Sequence, residues 1–334
     1  MARALLLAGL LALGAAASAN RAPPPPVPVA SAIAGPAVPA TLAAFGFFAD
    51  PRAQVPAAGV IPYRLNTTLY SDGADKLRFL YLPPGTQARF ADDGLPALPV
   101  GAALIKTFAF GEGSARRLIE TRVLLHRADG WVALPYVWNE GQSEARLALA
   151  GARVPVNTPE GRAISYRVPN RNQCKECHGL DGAVMPIGPK ARNLSAAWLA
   201  PLVAAGTLDT LPAGADTMPR WEDRATAPVA ATARAYLDVN CAHCHRPGAA
   251  ASNSGLDLRW EQQGLPALGV MKRPVAAGRG AGAFEFDIVP GHPEQSILIH
   301  RMRSEEPGVA MPELGKATAD ADGVALIERW ISTL

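Results

Sequence analysis

Two regimes of hydrophobic patterning divide the chain. Between Leu42 and about Tyr166, apolar residues alternate with polar ones or run in blocks of strand length. Leu118 to His126 sets Ile119, Thr121, Val123 and Leu125 at period two, the spacing of a half-buried strand. Arg127-Ala128-Asp129-Gly130 is a turn signal, and Trp131 to Trp138 reads as the returning strand. Phe79 to Leu82 stops at Pro83-Pro84-Gly85, and the apolar run Leu104 to Phe110 is broken by Lys106 and Thr107. The pattern predicts an antiparallel β-rich domain over residues 42–166, with Pro135 at an edge or bulge because proline cannot donate to a ladder.

From Gln173 the period lengthens. Ala227–Asn240 is a predicted helix with Pro228 in its first turn, where proline is tolerated. Val229, Ala233, Tyr236, Leu237 and Asn240 share one face of it. Shorter helices are expected over Ser296–Arg303 and over Asp320–Ser332; acidic residues open the latter. The expected fold class is therefore α+β: an N-terminal antiparallel β-rich domain followed by an all-α region.

The chain's beginning adds a compartment. Arg3 precedes an apolar run from Ala4 to Ala17, and Ala17-Ser18-Ala19 fits a small-residue cleavage site. Residues 1–19 read as a secretory signal and residues 20–41 as a stiff Pro/Ala-rich linker. No second apolar stretch of that length follows, so no stable membrane insertion is expected. A formal charge of +3 argues against a nucleic-acid partner. There is no glycine-rich dinucleotide fingerprint and no P-loop.

All four cysteines lie in two copies of one pattern, Cys174-Lys175-Glu176-Cys177-His178 and Cys241-Ala242-His243-Cys244-His245. Cys-x-x-Cys-His is the attachment signature of c-type haem. The two thiols add to the porphyrin vinyl groups as thioethers, and the next histidine binds iron through a neutral imidazole nitrogen. Zinc knuckles are the competing reading, but 63 residues separate Cys177 from Cys241, and zinc needs no histidine after each second cysteine. A thioredoxin-like dithiol or neighbouring disulfides also leave the histidines unexplained. The expected cofactors are two haem c groups, held by Cys174 and Cys177 with His178 and by Cys241 and Cys244 with His245. Attachment of this kind occurs outside the cytoplasm, which agrees with the leader and points to the periplasm.

Residues 225–334 resemble class I cytochrome c: a helix running into Cys241, a methionine loop at Met311-Pro312-Glu313-Leu314-Gly315, then a C-terminal helix. The resemblance implies Met311 as the distal iron ligand, 66 residues beyond His245, with Met302 as rival. It also implies contact between Tyr236 and Trp330 where the helices cross. The whole mature chain resembles a family of bacterial diheme c-type cytochromes with an N-terminal β-rich domain. The matching segments are Leu69 to Arg78, Gly101 to Phe108, Ile119 to Arg122, Gly130-Trp131 and Pro135 to Asn139. That family has no assigned substrate, so the resemblance implies haem content and architecture. It divides the chain into a first haem unit at 167–226 and a second at 227–334.

The first unit departs from the class I pattern. Tyr166 to Asn172 looks extended, so no helix is expected before Cys174. Gly188-Pro189 with Leu194 resembles the loop whose proline carbonyl orients the proximal histidine. Met218, 40 residues beyond His178 and followed by Pro219, is the candidate distal ligand there; Met185 is too near in sequence. In the second unit Ser254-Gly255-Leu256 replaces that proline loop.

Two methionine-capped haems leave no open iron, so the leading expectation is electron transfer with a periplasmic redox partner. The alternative is a peroxidase-like or dehydrogenase-associated oxidoreductase with one open haem, in which His126, His292 or His300 serves as ligand or base. A third reading makes Trp131, Tyr136, Trp138, Asp72 and Asp75 a ligand-binding face.

Overall fold

A computed structural model of the chain describes residues 26–334. The expected signal segment, 1–19, lies outside the described residues. Of the expected linker, residues 26–41 are docked on the sheet. A short helix, α1 (Ala30–Ala34), buries Ile33 completely. The Arg127 guanidinium donates to the carbonyls of Ile33, Pro36 and Ala37, and Tyr136 Oη donates to Pro39.

A small hairpin, β1 (Phe48–Asp50) and β2 (Val55–Pro56), leads into the main sheet. Its six antiparallel strands are β3 (Val60–Tyr63), β4 (Asp75–Tyr81), β5 (Ala103–Phe110), β6 (Arg117–Arg127), β7 (Gly130–Trp138) and β8 (Ala145–Leu147), in simple sequential order. Pro135 sits where β7 runs past the end of β8, so the ladder loses no donor there. The period-two alternation sorts the sheet into two faces. Phe79, Tyr81, Ile105, Val123, Leu125, Leu134 and Tyr136 pack against Phe45, Phe47 and α1.

The other face changes character along its strands. Leu80, Leu104 and Leu124 form an apolar end, packed against Leu194, Leu199 and Leu208. At the other end Phe108, Phe110 and Ile119 pack on Tyr166. Between them the pairing register lines up Arg78, Lys106 and Arg122 across β4, β5 and β6. Like charges directly opposite one another destabilise a sheet, so this row marks a place where packing was not the only requirement.

After a hairpin of β9 (Ala152–Asn157) and β10 (Ala163–Val168), the chain crosses this second face as α2 (Arg171–His178), which carries the first motif. A two-residue-strand hairpin follows, β11 (Gly179–Leu180) and β12 (Ala183–Val184), then α3 (Ala196–Ala204), α4 (Val229–Asn240), α5 (Ile297–Arg303) and α6 (Ala321–Ile331). The three predicted C-terminal helices are present within a residue or two of their expected ends. α4 and α6 cross closely: a side chain at Gly323 would meet Tyr236 Oη at 2.3 Å. Tyr236 and Trp330 share that core, but the ring paired with Tyr236 is Trp221, at 5.6 Å.

The all-α expectation for the second half is wrong. The chain is mixed α/β with a β-rich sheet domain. The first motif runs directly into β11 and β12, and between the second motif and α5 the backbone is held by turns and by the parallel bridges Val270–Ile288 and Phe286–Ser296. These segments are short, glycine-rich and proline-rich, so no helix period could be sustained in them. Among the described residues, no helix is long and apolar enough to cross a membrane.

Candidate functional site

The first motif is held by a helix the sequence reading missed. Asn170 caps α2: its Oδ1 accepts from Gln173 N at 2.8 Å, and Gln173 Oε1 accepts from Asn170 N at 3.1 Å. This reciprocal capping box starts a helix three residues before Cys174. The signal, Asn-x-x-Gln, was in the sequence. His178 ends the helix, and its Nδ1 pairs with the carbonyl oxygen of Met185 at 2.9 Å. A carbonyl only accepts, so Nδ1 carries the proton and the lone pair is on Nε2. The orienting carbonyl is thus that of Met185, not of the expected proline loop.

The second motif follows α4. The amide of Cys241 still bonds to Leu237 O, and His245 N bonds to Cys241 O at 2.9 Å. His245 Nδ1 lies 3.0 Å from Ser254 Oγ. The Ser254 hydroxyl donates its one hydrogen to Ala251 O at 2.7 Å, so it must accept from Nδ1–H. Nε2 again keeps the lone pair. The two histidines therefore stand in the same tautomer, each fixed by a partner behind the ring, which is how proteins orient a metal-binding imidazole. Burial pushes both rings down to about 4, helped at His178 by the Lys106 charge, at His245 by Arg301, and at both by His243. They stay neutral, the form that ligates a metal.

Each motif borders a cavity. That of the second is about 430 Å³ and is walled by Cys241, Cys244, His245, Met302 and Met311 among others. Met311 hangs from the backbone bond of its amide to Arg301 O at 2.9 Å, on the loop before α6. Met302 is 5 % exposed and packs in the core with Ile299 and Ile327. The first cavity is about 70 Å³, between β5–β7 and the loops carrying Pro169, Ile187 and Leu314; Cys174, Cys177, His178, Lys106, Arg122 and His243 face it.

Met218 does not line either cavity and is not placed as the first distal ligand. It is 1 % exposed, its amide donating to Arg192 O at 2.8 Å and its carbonyl accepting from Asn66 Nδ2 at 3.2 Å. It serves as core at the junction of the sheet domain and the first unit. No methionine lines the first cavity among the described residues. Lys106 does. Its ammonium has no hydrogen-bond or ion-pair partner among the described residues, while Arg122 is held at two points by Glu120. Burial and the neighbouring Arg122 and Arg78 pull Lys106 down to about 7. The interruption of an apolar strand by Lys106 was the available sequence signal.

The remaining candidates fall elsewhere. His126 stacks on Trp131 and pairs with Leu98 O at 2.9 Å; His292 is exposed beside Glu294; His300 lies against Phe284. None lines either cavity. Tyr136 and Trp138 are core, with Trp138 Nε1 donating to Thr121 Oγ1. Asp72 is buried against the loop before α6, and Asp75 is exposed.

The two motifs meet. Cys177, His243 and Cys244 bring their ligand atoms within 4.8 Å of one another. The closeness of Cys177 and Cys244 favours the thiolate at the first and disfavours it at the second, while burial raises both thiols. A closed structural zinc site takes four such donors; this cluster has three, while Cys174 and Cys241 stand outside it. The zinc reading also leaves the two matched histidine tautomers without a purpose. Free thiols at all four cysteines and two imidazoles with available Nε2 atoms fit covalent haem. No family model matches the chain, and neither a curated protein nor a solved structure shows significant similarity to it.

Proposed function

We propose that the chain is a diheme c-type cytochrome that carries electrons between partner proteins in the periplasm. The observation that carries this reading is the matched pair of histidines. His178 gives its Nδ1–H to Met185 O, and His245 gives its own to Ser254 Oγ, each within a Cys-x-x-Cys-His motif in the wall of a cavity. Haem bound there supplies a one-electron iron couple, whose potential methionine ligation raises. The residues do the rest. Cys174, Cys177, Cys241 and Cys244 would tether the two groups, His178 and His245 would bind iron through Nε2, and Met311, in the wall of the second cavity, would be its methionine ligand.

Haem staining after denaturing electrophoresis, with a pyridine haemochrome count, tests the reading. Two haems per chain are expected, and a colourless band contradicts it.

One observation favours a second reading. Because Met218 lies away from the first cavity, the first iron has no methionine to close it. A peroxidase-like oxidoreductase needs such an open or displaceable position. Rapid, complete carbon monoxide binding at one of two haems would select this reading; slow binding at both would select the carrier.

A further inference from the structure

We propose that the two haems meet at their Cys177 and Cys244 edges, on either side of His243, and work as one electrostatically coupled pair. This rests on the diheme reading and goes beyond haem content to how the two groups are joined.

The chain's own contacts put these edges together. The Sγ atoms of Cys177 and Cys244 and a ring nitrogen of His243 lie within 4.8 Å of one another. Each sulfur is the atom that a porphyrin vinyl carbon bonds, so the two thioether edges come as near as their sulfurs allow. The main chain holds this approach. Cys244 Sγ lies 3.4 Å from Glu176 O, and Asp181 N, in the turn between β11 and β12, donates to Gly248 O at 3.0 Å. Gly248 has φ +78, and a side chain there would strike Asp181 Oδ1 at 2.3 Å. Glycine takes that φ without strain, which favours the contact between the loops after the two motifs.

The two cavities share a wall: Tyr70, Cys177, His243, Pro312 and Leu314 line both. His243 Nδ1 is buried in it with no hydrogen-bond partner. A buried polar atom left unmade is costly, so it calls for an explanation. The units are also pinned behind the motifs. Asp238 of α4 accepts from Lys190 Nζ at 2.7 Å and from Arg192 at 3.4 Å, both in the loop of the first unit.

The consequence is physical. The chemistry such a pair would supply is one-electron exchange, one site oxidised as the other is reduced, with no bond changed and no proton required. Because the Cys177 and Cys244 sulfurs lie within 4.8 Å of one another, charge held at one site would be felt at the other. The electrons therefore enter in two macroscopic steps that belong to the pair, as coupled titrations do.

The test uses the full-length holoprotein, with two haems first confirmed by intact mass; a count below two overturns the diheme reading itself. Redox titration followed by electron paramagnetic resonance then reads the coupling. In the wild type, the spectrum of one oxidised haem should sharpen when the other is reduced. In Cys174→Ala/Cys177→Ala, the surviving haem should titrate as a single wave displaced from either wild-type step. If the double variant does not fold, the wild-type spectra decide alone. Two confirmed haems whose spectra do not respond to each other's oxidation state overturn the proposal.

Discussion

Asp72 of the sheet domain and Thr318 of the C-terminal region are joined twice. Asp72 Oδ1 accepts from Thr318 N at 2.8 Å and from Thr318 Oγ1 at 3.0 Å, and from Ala317 N at 2.6 Å. The carboxylate is 2 % exposed. Beside it, Tyr70 Oη shares a hydrogen bond with Thr318 Oγ1, and Tyr70 N donates to Asn240 Oδ1 just before Cys241. The segment Tyr70-Ser71-Asp72 thus fastens both the loop after Met311 and the helix before the second motif. On the diheme reading, the sheet domain would position the distal side of the second haem.

Asp72→Ala should therefore loosen the Met311 loop without touching iron. Leaving buried amides unpartnered costs about 1–3 kcal/mol. The expected outcome is a lower urea midpoint with a weakened methionine–iron charge-transfer band. A destabilised variant with the band intact would show that Asp72 is structural only.

Met311 and Met302 separate cleanly. Met311→Ala should abolish the charge-transfer band of the second haem and lower its midpoint potential. Met302→Ala empties a core position, which costs about 2–5 kcal/mol, and should leave the band in place. The reverse pattern in near-infrared spectra would reassign the ligand.

Periodicity and motif carried the sequence reading a long way and then stopped for identifiable reasons. The alternation at Ile119, Thr121, Val123 and Leu125 located β6, and the face of Val229, Ala233 and Tyr236 located α4, because both bury one side. α2 escaped because it is eight residues long and polar; only its capping box betrayed it. The row Arg78, Lys106, Arg122 is invisible until strand register is known. The all-α expectation failed where residues 246–296 make turns with no repeating period. Met218 fitted a spacing rule, but spacing says nothing of which side of a wall a residue falls on.

Ser254 replaces the proline loop in the second unit, and its hydroxyl, accepting from His245 Nδ1, would make His245 a stronger donor to iron. Ser254→Ala should keep both haems attached yet raise the potential of the second haem selectively. Protein-film voltammetry of the variant checks this. Equal shifts at both haems, or none, would remove Ser254 from that role.

Asp238 is 3 % exposed; burial alone would raise its carboxyl, but Lys190 and Arg192 together hold it below the usual range. The unfolded chain then binds the proton more readily, so the group's contribution to stability is present above about pH 4 and is lost as pH falls through the depressed folded value. Asp238→Asn should cost about 3–5 kcal/mol near neutrality by leaving buried cations unpaired. It should also flatten the acid limb of stability against pH. A wild-type acid slope in the variant would assign that limb to other groups.

The intact mass of the purified, denatured protein tests the central claim most directly, because a thioether bond survives unfolding. The account predicts the mass of the polypeptide plus two haems. A mass equal to the polypeptide alone, or to the polypeptide with a single haem, would contradict it.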